Sequence, residues 1–171
     1  MTSGATVPPA MARRRRQFTA SAWSSAPVQS VWPLVAHAAR WTDWSWMTHA
    51  SLLREGDPAP DGVGALRRFA VGPGASHEEV VVWDPPHHLG YEARRGLPVR
   101  RYRADVLLEP ERGGTRVTWH GEIDPLVPGT GVVLRAVLGR MVAGFARRLC
   151  RYADGTPSPD TAPGVDPAPG G

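Results

Sequence analysis

Two ionisable side chains, Arg67 and Glu79, are predicted to face the apolar interior of a strand-rich segment. Counting by two along their strands gives both the same parity as apolar neighbours, because alternate residues of a strand share a face. A buried charge needs a partner or a shifted pKa, and such groups commonly orient ligands or transfer protons. Arg67 and Glu79 are therefore candidates for lining a ligand pocket, although a one-residue slip would move both into solvent, and no catalytic residue is assigned.

The histidines and the cysteine do not form a recognisable metal-binding or catalytic motif. His87 and His88 are adjacent in a predicted turn, and the single cysteine, Cys150, excludes a multi-cysteine metal cluster. Cys150 has no evident histidine partner, and no serine lies in a Gly-x-Ser-x-Gly motif. His77 and His120 are interpreted as solvated, like the two turn histidines. We predict no metal and no cofactor.

Three aromatic residues, Tyr91, Tyr102 and Trp119, share the predicted inward face of the strands. Together they are candidates for lining a ligand pocket that has apolar walls and two hydroxyl groups. The alternative is that the rings fill the core and that the hydroxyls form local hydrogen bonds.

A second aromatic cluster, Trp41, Trp44 and Trp46, follows the first predicted helix. An indole combines a large apolar face with one hydrogen-bond donor, so these residues are candidates for the rim of a ligand entrance. The alternative is core packing, which we favour for Trp41 and Trp44. Trp46 is kept as a pocket candidate.

The spacing of apolar residues predicts the elements that would position these side chains. Residues 17–25 alternate as a first strand. A helix with a kink at Pro33 follows, with apolar residues at helical spacing: Val28, Val31, Trp32, Val35 and Ala39. From about residue 49 to residue 118, alternating residues separated by Gly and Pro turns indicate an antiparallel meander.

An amphipathic helix over about residues 130–153 is the clearest predicted element. Its apolar stripe consists of Leu134, Leu138, Met141, Val142, Phe145, Leu149 and Tyr152. The opposite face carries Arg140, Arg147, Arg148 and Arg151. The stripe needs an apolar partner, so Met141 and Phe145 are expected to line the space between helix and sheet. The sequence thus predicts an α+β fold, in which a curved antiparallel sheet of about six or seven strands wraps around a long C-terminal helix. An elongated apolar space is expected between them.

Composition divides the chain into one domain and two tails. Residues 1–16 and residues 154–171 lack apolar periodicity, so both are expected to be disordered around a domain over 17–153. The formal charge of +4 equals the contribution of four consecutive arginines: Arg13, Arg14, Arg15 and Arg16. The body is therefore neutral overall, and we predict no specific nucleic-acid binding and only weak contact of the arginine run with an anionic surface.

Neither an export signal nor a transmembrane segment is predicted. Arg15 and Arg16 precede polar residues in place of an apolar signal segment, and no apolar stretch approaches the length of a membrane-spanning helix. The single cysteine fits a reducing compartment, so the cytoplasm is the predicted location. Met11 leaves open a second translation start.

Five segments carry a family pattern. They are Ala39–Trp44 (ARWTDW), Gly62–Ala65 (GVGA), Val82–Tyr91 (VWDPPHHLGY), Tyr102–Arg103 and Gly114–Trp119 (GTRVTW). In this order they resemble the SRPBCC or START-like helix-grip superfamily, and within it the polyketide cyclase/dehydrase-like branch. Pro33 stands where this family leads us to expect an aliphatic residue, so the course of the first helix is expected to differ. The superfamily mixes carriers, sensors and enzymes, so the resemblance does not select a function.

Three functional hypotheses follow. The leading one is binding of a small hydrophobic or aromatic molecule, polyketide-like or lipid-like, in an internal cavity. The first alternative is an enzyme of the polyketide cyclase or dehydrase type, because such chemistry needs only a shaped cavity and one or two polar groups. The second is an interaction module that docks an acidic partner on the arginine face of the C-terminal helix.

Overall fold

The computed structural model describes residues 15–156, and this part of the chain forms seven β-strands, three α-helices and one 3₁₀ turn. The strands are β1 (Arg16–Ser24), β2 (His49–Arg54), β3 (Leu66–Val71), β4 (Gly74–Asp84), β5 (His88–Arg95), β6 (Val99–Glu111) and β7 (Gly114–Pro125). The helices are α1 (Val28–Ala36), α2 (Trp41–Trp44) and α3 (Gly131–Gly155), with the 3₁₀ turn at Ala38–Arg40. All strand pairs are antiparallel, in the order β1-β7-β6-β5-β4-β3-β2.

The long helix α3 packs its apolar stripe against β1 and β7, as the sequence predicts. Leu138, Val142, Phe145 and Leu149 are buried there, and the arginines of the opposite face are exposed. Burying these side chains on a sheet whose inner face is apolar is the main stabilising contribution to the fold. The predicted α+β fold, with a seven-stranded sheet around a C-terminal helix, is confirmed.

The first helix is shorter than predicted. It contains Pro33 but ends at Ala36, and the backbone of His37 is extended, so Ala39 lies outside the helix and is exposed. The carboxylate of Asp61 accepts a hydrogen bond of 3.0 Å from the Ala38 backbone N–H and forms a second hydrogen bond, of 2.9 Å, with the His37 ring. Asp61 thus provides the acceptor that this backbone N–H would find in a preceding turn if the helix continued.

Secondary structure continues slightly beyond residues 17–153 at both ends, and the limits of the domain stay a prediction. Arg16 is the first residue of β1, and the Arg15 guanidinium forms an ion pair with Glu122 at 2.7 Å. Asp154 lies in the last turn of α3 and accepts hydrogen bonds from Ser24 Oγ, Ser25 N and Ser25 Oγ. Arg13, Arg14 and most of the C-terminal tail lie outside the described residues.

No helix within residues 15–156 is long and apolar enough to cross a membrane. The cytoplasmic location stays a prediction.

Asp154→Ala is expected to lower the free energy of unfolding by about 1 kcal/mol, because it removes the acceptor of three hydrogen bonds that join α3 to the end of β1. Partial burial alone would raise the pKa of Asp154, but the bonds from Ser24 and Ser25 outweigh it and lower the pKa. The contribution is therefore complete above the unfolded pKa and is lost as the pH falls through the lower folded value.

Urea denaturation of the two proteins at neutral and acidic pH measures this difference. Glu55→Ala, at an exposed position, is the control and should change little. Equal stability of wild type and Asp154→Ala at neutral pH would contradict the assignment.

Candidate functional site

Aromatic rings fill the space between the sheet and α3. The buried rings are those of Trp41, Phe69, Tyr91, Tyr102, Trp119 and Phe145. Their centroids lie close together: Trp41 is 4.7 Å from Phe69 and 5.8 Å from Trp119, and Trp119 is 5.7 Å from Phe145. The elongated apolar space expected from the sequence is therefore occupied by the protein's own side chains. We call these six rings the aromatic cage.

Arg67 lies within the aromatic cage and is fully buried. Its guanidinium carbon is 5.5 Å from the ring centroid of Trp41, 5.3 Å from that of Phe69 and 5.1 Å from that of Tyr91. Cation–π contacts of this kind stabilise a charge but do not replace hydrogen bonds. Among the described residues, its Nε, Nη1 and Nη2 atoms have no hydrogen-bond partner.

Glu78 provides the carboxylate that forms an ion pair with Arg67. Its Oε2 lies 3.5 Å from Arg67 Nη2, which is an ion-pair distance but too long for a good hydrogen bond. Burial raises the pKa of Glu78 to about 7, although the charge of Arg67 opposes this shift. Burial lowers the pKa of Arg67, and Glu78 opposes that change in turn. Near neutral pH the carboxyl can therefore take up or release a proton in an apolar setting.

Glu79, which the sequence analysis places inward, points outward, so that part of the prediction is wrong. Its carboxylate pairs with Arg94 at 2.9 Å and with Arg54 at 3.3 Å on the outer face of the sheet. The reason is a register irregularity between Val80 and Val82. An extra residue at a bulge reverses which alternate residues of the strand face inward, so Glu78 faces the core and Glu79 does not.

The two tyrosines and Trp119 meet, as their shared parity predicts. Trp119 Nε1 donates a hydrogen bond of 3.1 Å to the Tyr91 hydroxyl oxygen, and the Tyr91 and Tyr102 ring centroids are 6.2 Å apart. Burial raises the pKa of both tyrosine hydroxyls, so both keep their protons at neutral pH. Both hydroxyls can therefore act as hydrogen-bond donors.

Trp46, Met141 and Phe145 lie where the interior approaches the surface. Trp46 stacks on Phe145 with centroids 4.2 Å apart, and the Arg148 guanidinium lies 5.5 Å from the Trp46 ring. Trp46 and Met141 are half-buried, whereas Phe145 is buried. A movement of Trp46 would uncover Phe145, so this stack is a candidate entrance to the aromatic cage.

The neighbouring tryptophans, Trp41 and Trp44, fasten α1 to the core. Their indole N–H groups donate to the backbone oxygens of Val35 and Leu34, each at 2.9 Å. This is the packing role that we favoured for them over a place at the entrance rim.

Two residues of the site are missed by the sequence analysis. Phe69 could have been found, because it lies two residues from the inward-facing Arg67 on the same strand. Glu78 could not, because Val80–Val82 are three consecutive valines and their pattern carries no sign of the bulge.

A metal site is not evident, since no three His, Cys, Asp or Glu side chains converge within residues 15–156.

The strand order and the long C-terminal helix give this chain a START-like fold. Residues 15–154 match the family described as polyketide cyclase / dehydrase and lipid transport, and the chain belongs to that family. No curated protein sequence matches this chain.

Solved structures of other proteins share this fold. A START superfamily protein from Mycobacterium smegmatis aligns with a TM-score of 0.70 and 11% identity, over 81% of this chain and 97% of that one. A protein from Thermobifida fusca aligns with a TM-score of 0.66 and 26% identity, over 80% and 92%. Norcoclaurine synthase from Thalictrum flavum aligns with a TM-score of 0.64 and 15% identity, over 82% and 94%.

Replacing Glu78 by Gln is expected to change how stability depends on pH. The folded pKa of Glu78, about 7, lies above its ordinary value of 4.5, so the folded state binds a proton that the unfolded chain has released. Wild type should therefore lose stability, relative to Glu78→Gln, as the pH rises from about 4.5 to about 7. Denaturation of both proteins across this range measures the difference, and Glu79→Gln on the outer face is the matched control. A difference that does not vary with pH would contradict the burial of an ionisable Glu78.

Proposed function

We propose that this protein binds a small hydrophobic molecule in its interior and that Arg67 holds an oxygen-bearing end of that molecule. The observation that carries the proposal is the buried guanidinium with three nitrogen atoms that lack hydrogen-bond partners among the described residues. A buried charge without hydrogen bonds is costly, and a ligand oxygen beside Arg67 would lower that cost. The membership of the chain in a family that includes lipid transport proteins supports the same function.

The surroundings of Arg67 specify the chemistry of this ligand. The cage rings offer apolar and aromatic surface, so the body of the ligand is apolar. Arg67 has only donors, and the Tyr91 and Tyr102 hydroxyls can donate as well, so the buried end carries a carbonyl, carboxylate or phenolic oxygen. Glu78 next to this position can accept a hydrogen bond from a hydroxyl group of the ligand.

Binding requires that some rings move, because the rings themselves fill the cage. The Trp46–Phe145 stack is the part of the cage closest to solvent, and Trp46 is half-buried. Rotation of the Trp46 side chain, followed by Phe145, opens a route toward Arg67 without changing the strand order. The ligand then replaces ring–ring contacts with ring–ligand contacts.

Titration with cis-parinaric acid, a fluorescent apolar carboxylic acid, tests this function. Arg67→Met should weaken binding of the acid by about ten-fold or more, since a hydrogen bond to a charged group contributes roughly 1.5 to 3 kcal/mol. The same substitution should weaken binding of the methyl ester of cis-parinaric acid by a smaller factor. Tyr102→Ala and Trp119→Ala should weaken both probes through lost apolar contact, by roughly five-fold or more.

Arg101→Ala is the control, because Arg101 is exposed on the other face of β6 and pairs with Glu92 at 2.9 Å. It should leave both affinities unchanged. Failure of folded wild type to bind either probe, together with no co-purifying small molecule in native mass spectrometry, would refute ligand binding.

A second candidate function is an enzyme of the cyclase or dehydrase type, and Glu78 is the observation that favours it. A carboxyl with a pKa of about 7, buried beside a guanidinium, has the properties of a general base next to a group that stabilises a developing oxyanion. Norcoclaurine synthase, whose structure was solved with a transition state analogue, is an enzyme with this fold. The arrangement here would suit removal of a proton next to a carbonyl group.

Loss of deuterium from a labelled β-diketone, followed by mass spectrometry, tests this chemistry. The rate should rise as the pH increases through about 7, because Glu78 must be ionised to accept a proton. Glu78→Gln should abolish the exchange, while Glu79→Gln should leave it unchanged. Exchange at the uncatalysed rate in wild type would leave ligand binding without turnover as the function.

A further inference from the structure

Exposed apolar side chains are concentrated in one short segment. Within residues 15–156, nine large apolar residues are exposed, and five of them lie between residues 126 and 137. They are Leu126, Val127, Val132, Val133 and Val137, with exposures from 48% to 65%. Single exposed apolar residues are normal, but this clustering indicates a surface that contacts something apolar.

The same side of α3 becomes basic toward its C-terminal end. At 100° per residue, an arc of about 80° contains Val133, Val137, Arg140, Arg147 and Arg151. α3 carries five arginines and a single acid, Asp154, which is bonded to Ser24 and Ser25. Within the described residues, the α3 arginines form no ion pair. One helix face therefore begins apolar and ends basic.

A groove beside the valines adds two further cations. It is lined by Arg16 and Arg100 together with Asp124 and the loop that joins β7 to α3, including Leu126 and Val127. The loop leads directly into α3, so the exposed Leu126 and Val127 precede the exposed valines of the first helical turns by only a few residues. We call the surface made by Leu126, Val127, Val132, Val133, Val137, Arg140, Arg147 and Arg151 the valine–arginine face.

We propose that the valine–arginine face docks on an anionic lipid membrane. The valines enter the boundary between headgroups and acyl chains, and the arginines contact lipid phosphates, which is how basic amphipathic helices bind such surfaces. A bilayer of anionic lipids presents both an apolar layer and negative charge. This one partner therefore suits both the valines and the arginines of the face. This docking does not depend on the interior ligand.

A second copy of the chain fits this face poorly. Parallel packing of two α3 helices would place the arginines of one copy against those of the other. Antiparallel packing would bury Arg147 and Arg151 against valines, with no carboxylate on the face to neutralise them. Burying unpaired charges is costly in either arrangement. The charge pattern therefore favours an anionic partner over self-association.

Flotation of the full chain with lipid vesicles tests the proposal. Wild type should bind vesicles of phosphatidylcholine mixed with phosphatidylglycerol and should bind pure phosphatidylcholine at least about ten-fold more weakly. Val133→Asn with Val137→Asn should weaken binding by about ten-fold. Arg147→Gln with Arg151→Gln should weaken it by about five-fold per arginine.

Matched controls separate this face from other exposed residues. Val71→Asn and Arg95→Gln change an exposed valine and an exposed arginine elsewhere, and both should bind as wild type does. A fluorophore attached at Val133→Cys should shift its emission to shorter wavelength on the anionic vesicles, because it enters an apolar layer. Cys150 is buried, so labelling is directed to position 133.

Three results would overturn the proposal. The first is an absence of binding to anionic vesicles. The second is binding that persists in both α3 double variants, as it would if only Arg13–Arg16 contacted the lipid. The third is a dimer in light scattering that the valine double variant dissociates, because the face would then be an interface between copies of this chain.

Discussion

The guanidinium of Arg67 is held in the core by the faces of Trp41, Phe69 and Tyr91 and by a single carboxylate, that of Glu78. Nothing in a purely structural core requires such a group, since apolar residues of similar volume usually stabilise a protein at least as well as a buried ion pair. The aromatic rings accept the cation through their electron-rich faces, and they also form the walls around it. Stability and the proposed binding function therefore make opposite demands at this position, as is common at functional sites.

Charge is distributed very differently on the two faces of the sheet. The outer face carries exposed ion pairs, such as those of Glu79 with Arg94 and of Arg101 with Glu92, which contribute little to stability but keep the sheet solvated. Within residues 15–156, the inner face carries one pair, Arg67 with Glu78, where low polarity strengthens every electrostatic effect. A bulge in β4 determines which of two adjacent glutamates belongs to which face.

The structure also separates three roles for the tryptophans that follow α1. Trp41 and Trp44 bind backbone oxygens of α1, and Trp41 in addition forms part of the aromatic cage. Trp46 has no such anchor among the described hydrogen bonds, and it stacks on Phe145 near the surface. Because it is the least fixed of the three, Trp46 is the residue best placed to move in the proposed binding of a ligand.

Periodicity in the sequence determined the strand and helix order, the apolar stripe of α3 and the shared inward face of Tyr91, Tyr102 and Trp119, because these features depend only on residues close along the chain. The inward place of Arg67 followed from the same alternation. Tertiary structure alone decided that Glu78 faces inward instead of Glu79, since a bulge changes the strand parity without changing composition. It also decided that aromatic rings fill the interior, because the volume enclosed by a curved sheet depends on how distant residues pack and not on their spacing in the chain.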